Sequence, residues 1–236
     1  MFIPIGDDNS QRRRLPLVVW LLIAANSYMW FQELQYGELF VASFAAIPYE
    51  ISTGTDLITT KYANFDGSIV PVPQAPGPRP IYLTLISSMF MHGSWLHIIG
   101  NMLYLLIFGD QIEDRLGHIR FLLFYLVTGI IAGVAQVIAE PYSILPCVGA
   151  SGAIAGVLGA YLILYPGNAI RVLVLRSIIV MPAVVVLGFW GVLQVAGHLG
   201  NPSSQGGVAY MAHLGGFGAG VLAGLGLRVR GTRRRA

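Results

Sequence analysis

From residue 15 to residue 227 apolar runs follow one another with no separate polar domain between them. Such a chain has few solvents in which it can fold. A helix of roughly 20 apolar residues spans the hydrocarbon core of a bilayer. With 55% hydrophobic and only 11% charged residues among 236, and a mean hydropathy of +0.68, too little polar surface is left for a water-soluble globule. The expected fold is an all-α membrane protein with one embedded domain. Candidate spans lie near 15–36, 95–109, 119–139, 151–165, 177–196 and 208–227, flanked by basic tails at 1–14 and 228–236. Ile170 to Leu175 is interrupted by Arg171 and followed by Arg176, and reads as a surface segment. The run Leu15 to Phe31 after an Arg-rich start is long for a secretory signal core and reads as a retained span.

Charge tests the six-span count independently, because Lys and Arg concentrate on the cytoplasmic side. Six spans with the amino terminus inside place Arg12, Arg13, Arg14, Arg115, Arg120, Arg171, Arg176, Arg228, Arg230, Arg233, Arg234 and Arg235 together, 12 of the 14 basic residues. Only Lys61 and Arg79 fall outside. Both termini are then cytoplasmic, and the outer loops run over about 37–94, 140–150 and 197–207. In the long first loop Pro71, Pro73, Pro76, Pro78 and Pro80 forbid regular helix, while Phe40 to Ile47 is apolar enough to lie in the membrane interface.

Several function classes fall away. The basic tails have no aromatic-rich basic domain beside them, which argues against nucleic acid. Cys147 is the only cysteine, so neither an intramolecular disulfide nor a cysteine metal site can form. No H-E-x-x-H occurs, and His92 and His97 are five apart rather than four, so no metal or other cofactor is implied. Asp110 has no second intramembrane aspartate for an acid dyad; with Glu113, Asp114 and Arg115 it reads as a charged inner loop. His118 and His198 read as surface residues in loops.

Polar side chains on membrane spans cost free energy unless paired, so they carry the information. One group is His92, His97 and Asn101 at the outer end of the second span, with His97 and Asn101 four apart on one helical face. Ser151 lies in the run Val148-Gly149-Ala150-Ser151-Gly152-Ala153 and starts the fourth span, where free backbone N–H groups can receive negative charge. His213 lies in Ala212-His213-Leu214-Gly215-Gly216 near the outer end of the sixth. Gly152, Gly156 and Gly159 on one span and Gly216 and Gly220 on the other would let two backbones approach closely. Each group alone has a plain structural reading, as a helix bridge, a packing stripe or a self-satisfied hydroxyl. Their convergence at one depth argues for a shared site.

HGSWLHIIGN, GASG and AHLGG, in that order on the second, fourth and sixth spans, resemble the motifs of the rhomboid intramembrane serine proteases, over nearly the whole chain. The resemblance implies a six-helix rhomboid bundle whose long first outer loop is partly inserted, with a water-filled cavity open to the outer face. The substrates it implies are transmembrane segments of other membrane proteins in the same bilayer. Ser151 looks like the nucleophile and His213 its general base; Asn101, with His97 and the Ser151 backbone N–H, looks like the oxyanion site. Two departures are visible. Many relatives have an aromatic residue, stacked on the histidine, where this chain has Ala155, so something else must orient His213. The Trp-Arg pair of some bacterial relatives' first loop is missing too. The rivals are a catalytically inactive client binder, which would generally lack the Ser or the His, and a transporter or channel, which should show an inverted repeat and polar residues reaching the inner face. Short tails and no transit-like leader favour a prokaryotic plasma membrane. The oligomeric state stays open.

Overall fold

Each of the six apolar windows contains a helix in the computed structural model, which describes residues 2–10, 12–65, 67–200 and 207–233. The chain begins with strand β1 (Phe2–Asp7), helix α1 (Leu17–Tyr36), the short helices α2 (Glu38–Phe44) and α3 (Pro48–Thr53), the hairpin strands β2 (Lys61–Phe65) and β3 (Ser68–Val72), and the short α4 (Thr84–Ser87). It continues with α5 (Trp95–Leu116), α6 (His118–Ala139), α7 (Ser151–Leu164), β4 (Ala169–Val174), β5 (Ser177–Pro182), α8 (Ala183–Gly200) and α9 (Tyr210–Arg233). Arg234 and Arg235 of the expected tail, and 201–206 of the expected third outer loop, lie outside the described residues.

α1, α6, α8 and the Tyr210–Val229 part of α9 are each long and apolar enough to cross a membrane. α5 qualifies only together with Ile81–Phe90, against which it bends by 81°, so length and composition support four or five spans rather than six. Between 17% and 33% of each of the four qualifying windows is buried inside the protein. Large apolar side chains such as Leu21, Ile119, Ile138 and Leu222 point outward instead, as they do when lipid is the solvent. The chain is an integral membrane protein. α7 is the exception in both respects. It has 14 residues, and every one from Gly152 to Tyr161 is buried. At 1.5 Å per residue it is about 21 Å long, shorter than a hydrocarbon core of about 30 Å. Wrapped by α5, α6, α8 and α9, it need not match the bilayer's thickness.

The all-α expectation is corrected by two small sheets. β1, β4 and β5 form one antiparallel sheet, and β2 pairs with β3 in the first loop. The stretch expected as a surface segment is β4: Ile170 and Val172 are fully buried while Arg171 between them is exposed, the period-two alternation of a half-buried strand. The first six residues of the window read as the fifth span are β5. Hydropathy cannot tell a β-branched strand from a helix in Ser-Ile-Ile-Val-Met-Pro, and the helix starts only after Pro182. Part of the expected basic tail is likewise ordered as β1. Asp7 at its end accepts hydrogen bonds from Tyr161 Oη and Gln111 Nε2, each at 2.7 Å. Burial pushes the Asp7 carboxyl up to about 6, against the lowering effect of the Tyr161 hydrogen bond.

The charged inner loop is also corrected, because Asp110, Glu113, Asp114 and Arg115 occupy the last turns of α5. Glu113 is fully buried, and its two oxygens accept the backbone N–H groups of Val18 and Val19 at 2.9 and 2.8 Å. α1 starts after Pro16 with no side-chain cap of its own, so the carboxylate from α5 meets the open donors and the positive end of the helix dipole. His118, read as a surface loop residue, is instead the first residue of α6 and touches Glu113 Oε1 at 2.5 Å. Asp110 pairs with Arg12 at 2.9 Å. Replacing Glu113 with glutamine puts an amide donor against one of these buried N–H groups. The expected cost is about 1–3 kcal/mol. Equilibrium unfolding would measure it, and unchanged stability would show that the cap is not needed.

The first loop reaches the segment that leads into α7. Ala46 and Cys147 exchange backbone hydrogen bonds at 3.0 and 2.9 Å, and Gly149 donates to the Ser88 carbonyl at 2.9 Å. Residues 147–150 are thereby clamped from two sides immediately before Ser151.

Candidate active site

Ser151 is the first residue of α7, directly after the N-cap residue Ala150, and among the described residues its Oγ bonds to no backbone group. Its Oγ instead lies 2.7 Å from His213 Nε2. This removes the plain reading in which the hydroxyl satisfies itself on nearby backbone. His213 is the fourth residue of α9, 62 positions away in sequence, and the α7–α9 contact brings it within reach. A Cβ on Gly216 would overlap the Gly152 carbonyl, and one on Gly220 the Gly156 carbonyl, so the backbones touch where the glycine spacing anticipates.

Gly149 has φ +127°, and a Cβ there would lie 2.7 Å from His97 Nε2. Any side chain would be strained and would push His97 aside. Asn101 on α5 is nearly buried, and its Nδ2 lies 2.9 Å from His92 Nε2. His92 holds Asn101, and His97 stands edge-on to the His92 ring at 5.0 Å. His92, from the same polar group, is 1% exposed. Its backbone N–H donates to both oxygens of Glu33, at 3.0 and 3.1 Å, which ties the turn before α5 to α1.

Ser151, His213, Asn101 and His97 all line one cavity of about 640 Å³. Tyr104, Ile154, Leu158 and Trp190 give it an apolar wall, with Ser94, Cys147 and Val148 among its other lining residues. A hydroxyl bonded to an imidazole, at a helix start whose first N–H groups have no intrahelical acceptor, can attack a carbonyl and receive the charge that develops. Among the described residues no three His, Cys, Asp or Glu side chains gather as a metal site.

The family model described as Rhomboid domain matches residues 80–230, well over half of the chain. The chain belongs to the rhomboid family. The match begins after α1 and most of the first loop, so the resemblance covers less than the nearly whole chain expected from the motifs. Among curated proteins this rhomboid is similar to Rhomboid protease GluP of Bacillus subtilis, 37% identical over 123 residues that make up 50% of this chain and 23% of that protein. It is also similar to two proteins of Arabidopsis thaliana. RHOMBOID-like protein 4 is 33% identical over 62% of this chain and 34% of its own length, and RHOMBOID-like protein 6, mitochondrial, 38% identical over 33% and 25%. The chain thus spans well under half of each of these relatives.

Two residues beside the rhomboid site carry no motif and were not anticipated. Gln194 Oε1 lies 2.7 Å from His213 Nδ1, and the Trp190 ring lies 5.9 Å from the His213 ring at a 40° tilt. Both come from α8, one turn apart. The available signal was a single glutamine in an otherwise apolar run, which the cost of polar groups in lipid should mark. Ala155, fully buried on α7, leaves the ring's support to α8.

Proposed function

We propose that this rhomboid is an intramembrane serine endopeptidase that hydrolyses peptide bonds in or near transmembrane segments of other membrane proteins. The 2.7 Å contact between Ser151 Oγ and His213 Nε2 carries this reading. His213 takes the hydroxyl proton and Ser151 attacks the scissile carbonyl. The tetrahedral oxyanion is met by backbone N–H groups at the start of α7 and by the Asn101 amide, with His97 beside it. His213 then returns the proton to the leaving amine, and water releases the acyl group by the reverse sequence. In this reading α7 counts as the fourth span, shortened, which brings the total to six, and both termini face the cytoplasm of a prokaryotic plasma membrane. If the lower end of α7 meets the inner boundary of the core, Ser151 lies roughly 9 Å below the opposite one. The cavity lined by Ser94, His97 and Asn101 is then the route by which water arrives.

A fluorophosphonate probe tests the assignment, because it reacts with an activated serine and not with an inert one. The protein is expected to label once, and labelling is expected to vanish in Ser151→Ala and in His213→Ala. Unlabelled but folded protein would instead identify an inactive client binder.

A further inference from the structure

We infer that Gln194 is a positioning residue that holds His213 in the one tautomer able to accept the Ser151 proton. This rests on the protease reading above. An imidazole can act as base towards Ser151 only if Nε2 is unprotonated, which requires the proton on Nδ1. Nδ1 faces Gln194 Oε1 at 2.7 Å, and an amide oxygen can only accept. The amide's own orientation is set by its other end: Gln194 Nε2 donates to the Trp190 carbonyl one turn earlier in α8, at 3.3 Å. A flipped amide would lose that bond and present a donor to Nδ1. Oxygen towards the histidine is therefore the arrangement that satisfies both groups, and it runs the chain of donors from Ser151 through His213 to Gln194.

The choice of an amide follows from the surroundings. Gln194 is 9% exposed and stands behind His213, outside the cavity lining, so it orients the base without touching substrate. A carboxylate there would meet the desolvation cost of a buried charge in an apolar layer, or stay protonated. A neutral carbonyl supplies the acceptor without that cost. Trp190, one turn away on the same helix, adds a ring beside the imidazole, so α8 provides both the hydrogen bond and the aromatic contact for which α7, with Ala155, has no large side chain.

The experiment pairs kinetics with a spectroscopic readout. Cleavage of a helical reporter in liposomes is measured for the full chain and for Gln194→Met and Gln194→Glu. Gln194→Met, similar in volume but without an acceptor at that place, is expected to lower kcat roughly 10- to 100-fold with KM nearly unchanged. Gln194→Glu, which keeps an oxygen at the same length, is expected to recover part of the loss. In parallel, 15N spectra of histidine-labelled wild-type protein, with His213 assigned by His213→Asn, are expected to show a single tautomer protonated at Nδ1. An Nε2-protonated His213 in the wild type would overturn the proposal even if Gln194→Met does not fold. Full kcat in Gln194→Met, or equal losses in the two variants, would overturn it as well. An inactive wild type would sink the protease reading instead, and the tautomer measurement would still decide what Gln194 does to His213.

Discussion

Ser151→Ala is expected to abolish cleavage of a helical reporter while leaving the fold intact, a loss of roughly 10⁴-fold or more. The hydroxyl is the only group at the start of α7 placed both to attack a carbonyl and to pass its proton to His213 Nε2 at 2.7 Å. Its removal is expected to cost little stability, since α7 is buried from Gly152 to Tyr161 by other residues. His213→Ala is expected to cost about as much. The double variant should be no worse than either single one, because a nucleophile and its base would act as one unit and the first deletion would already disable the second group. Reporter kinetics on the three variants reads this directly. Cleavage persisting in Ser151→Ala sinks the assignment, and strictly additive losses would show that the two residues do not act as a pair.

The second large effect is expected at the α7–α9 contact. Gly220→Val drives a branched side chain into the Gly156 carbonyl, a backbone group that cannot rotate away. Overpacking a core typically costs about 1–3 kcal/mol, and a backbone obstacle puts this case at or above the upper end. Gly216→Ala tests the functional half of the argument. Its methyl group, three residues from His213, would overlap the Gly152 carbonyl, one residue from Ser151. The shift needed to relieve that overlap is expected to stretch the Ser–His contact and remove fluorophosphonate labelling before the fold is lost. Gly218→Ala is the control on the same helix, with nothing within 4 Å of the added atom, and is expected to be neutral or slightly stabilising. Folded fraction by gel filtration and labelling yield together separate the three cases. Normal labelling in Gly216→Ala would show that close packing does not set the distance.

Local pattern made much of this molecule legible. Helix positions follow from runs of apolar residues, and the helices fall within about a turn of the expected windows, except where β5 takes the start of the fifth and α5 and α9 run on beyond the ends of theirs. The fifth failed because Ile and Val are equally apolar in a strand and in a span. Asp110 and Glu113 were read as loop residues because acidic side chains at a span's end usually face water. Here they face the first helix and the amino-terminal segment, and no local signal announces a partner about 95 residues away.

What the sequence by itself determined was the solvent and the helical class, which follow from residue type and spacing along single segments, and Ser151, His213, Asn101 and His97 as candidates, through the convergence of three spans at one depth and the resemblance their motifs carry. What only the tertiary structure decided was who meets whom. His92 holds Asn101, Glu33 ties the turn before α5 to α1, and α8 supplies the Gln194 oxygen and the Trp190 ring that Ala155 leaves to another helix. Such contacts join side chains on different helices, and the rotation of each helix about its own axis is fixed only when all of them pack.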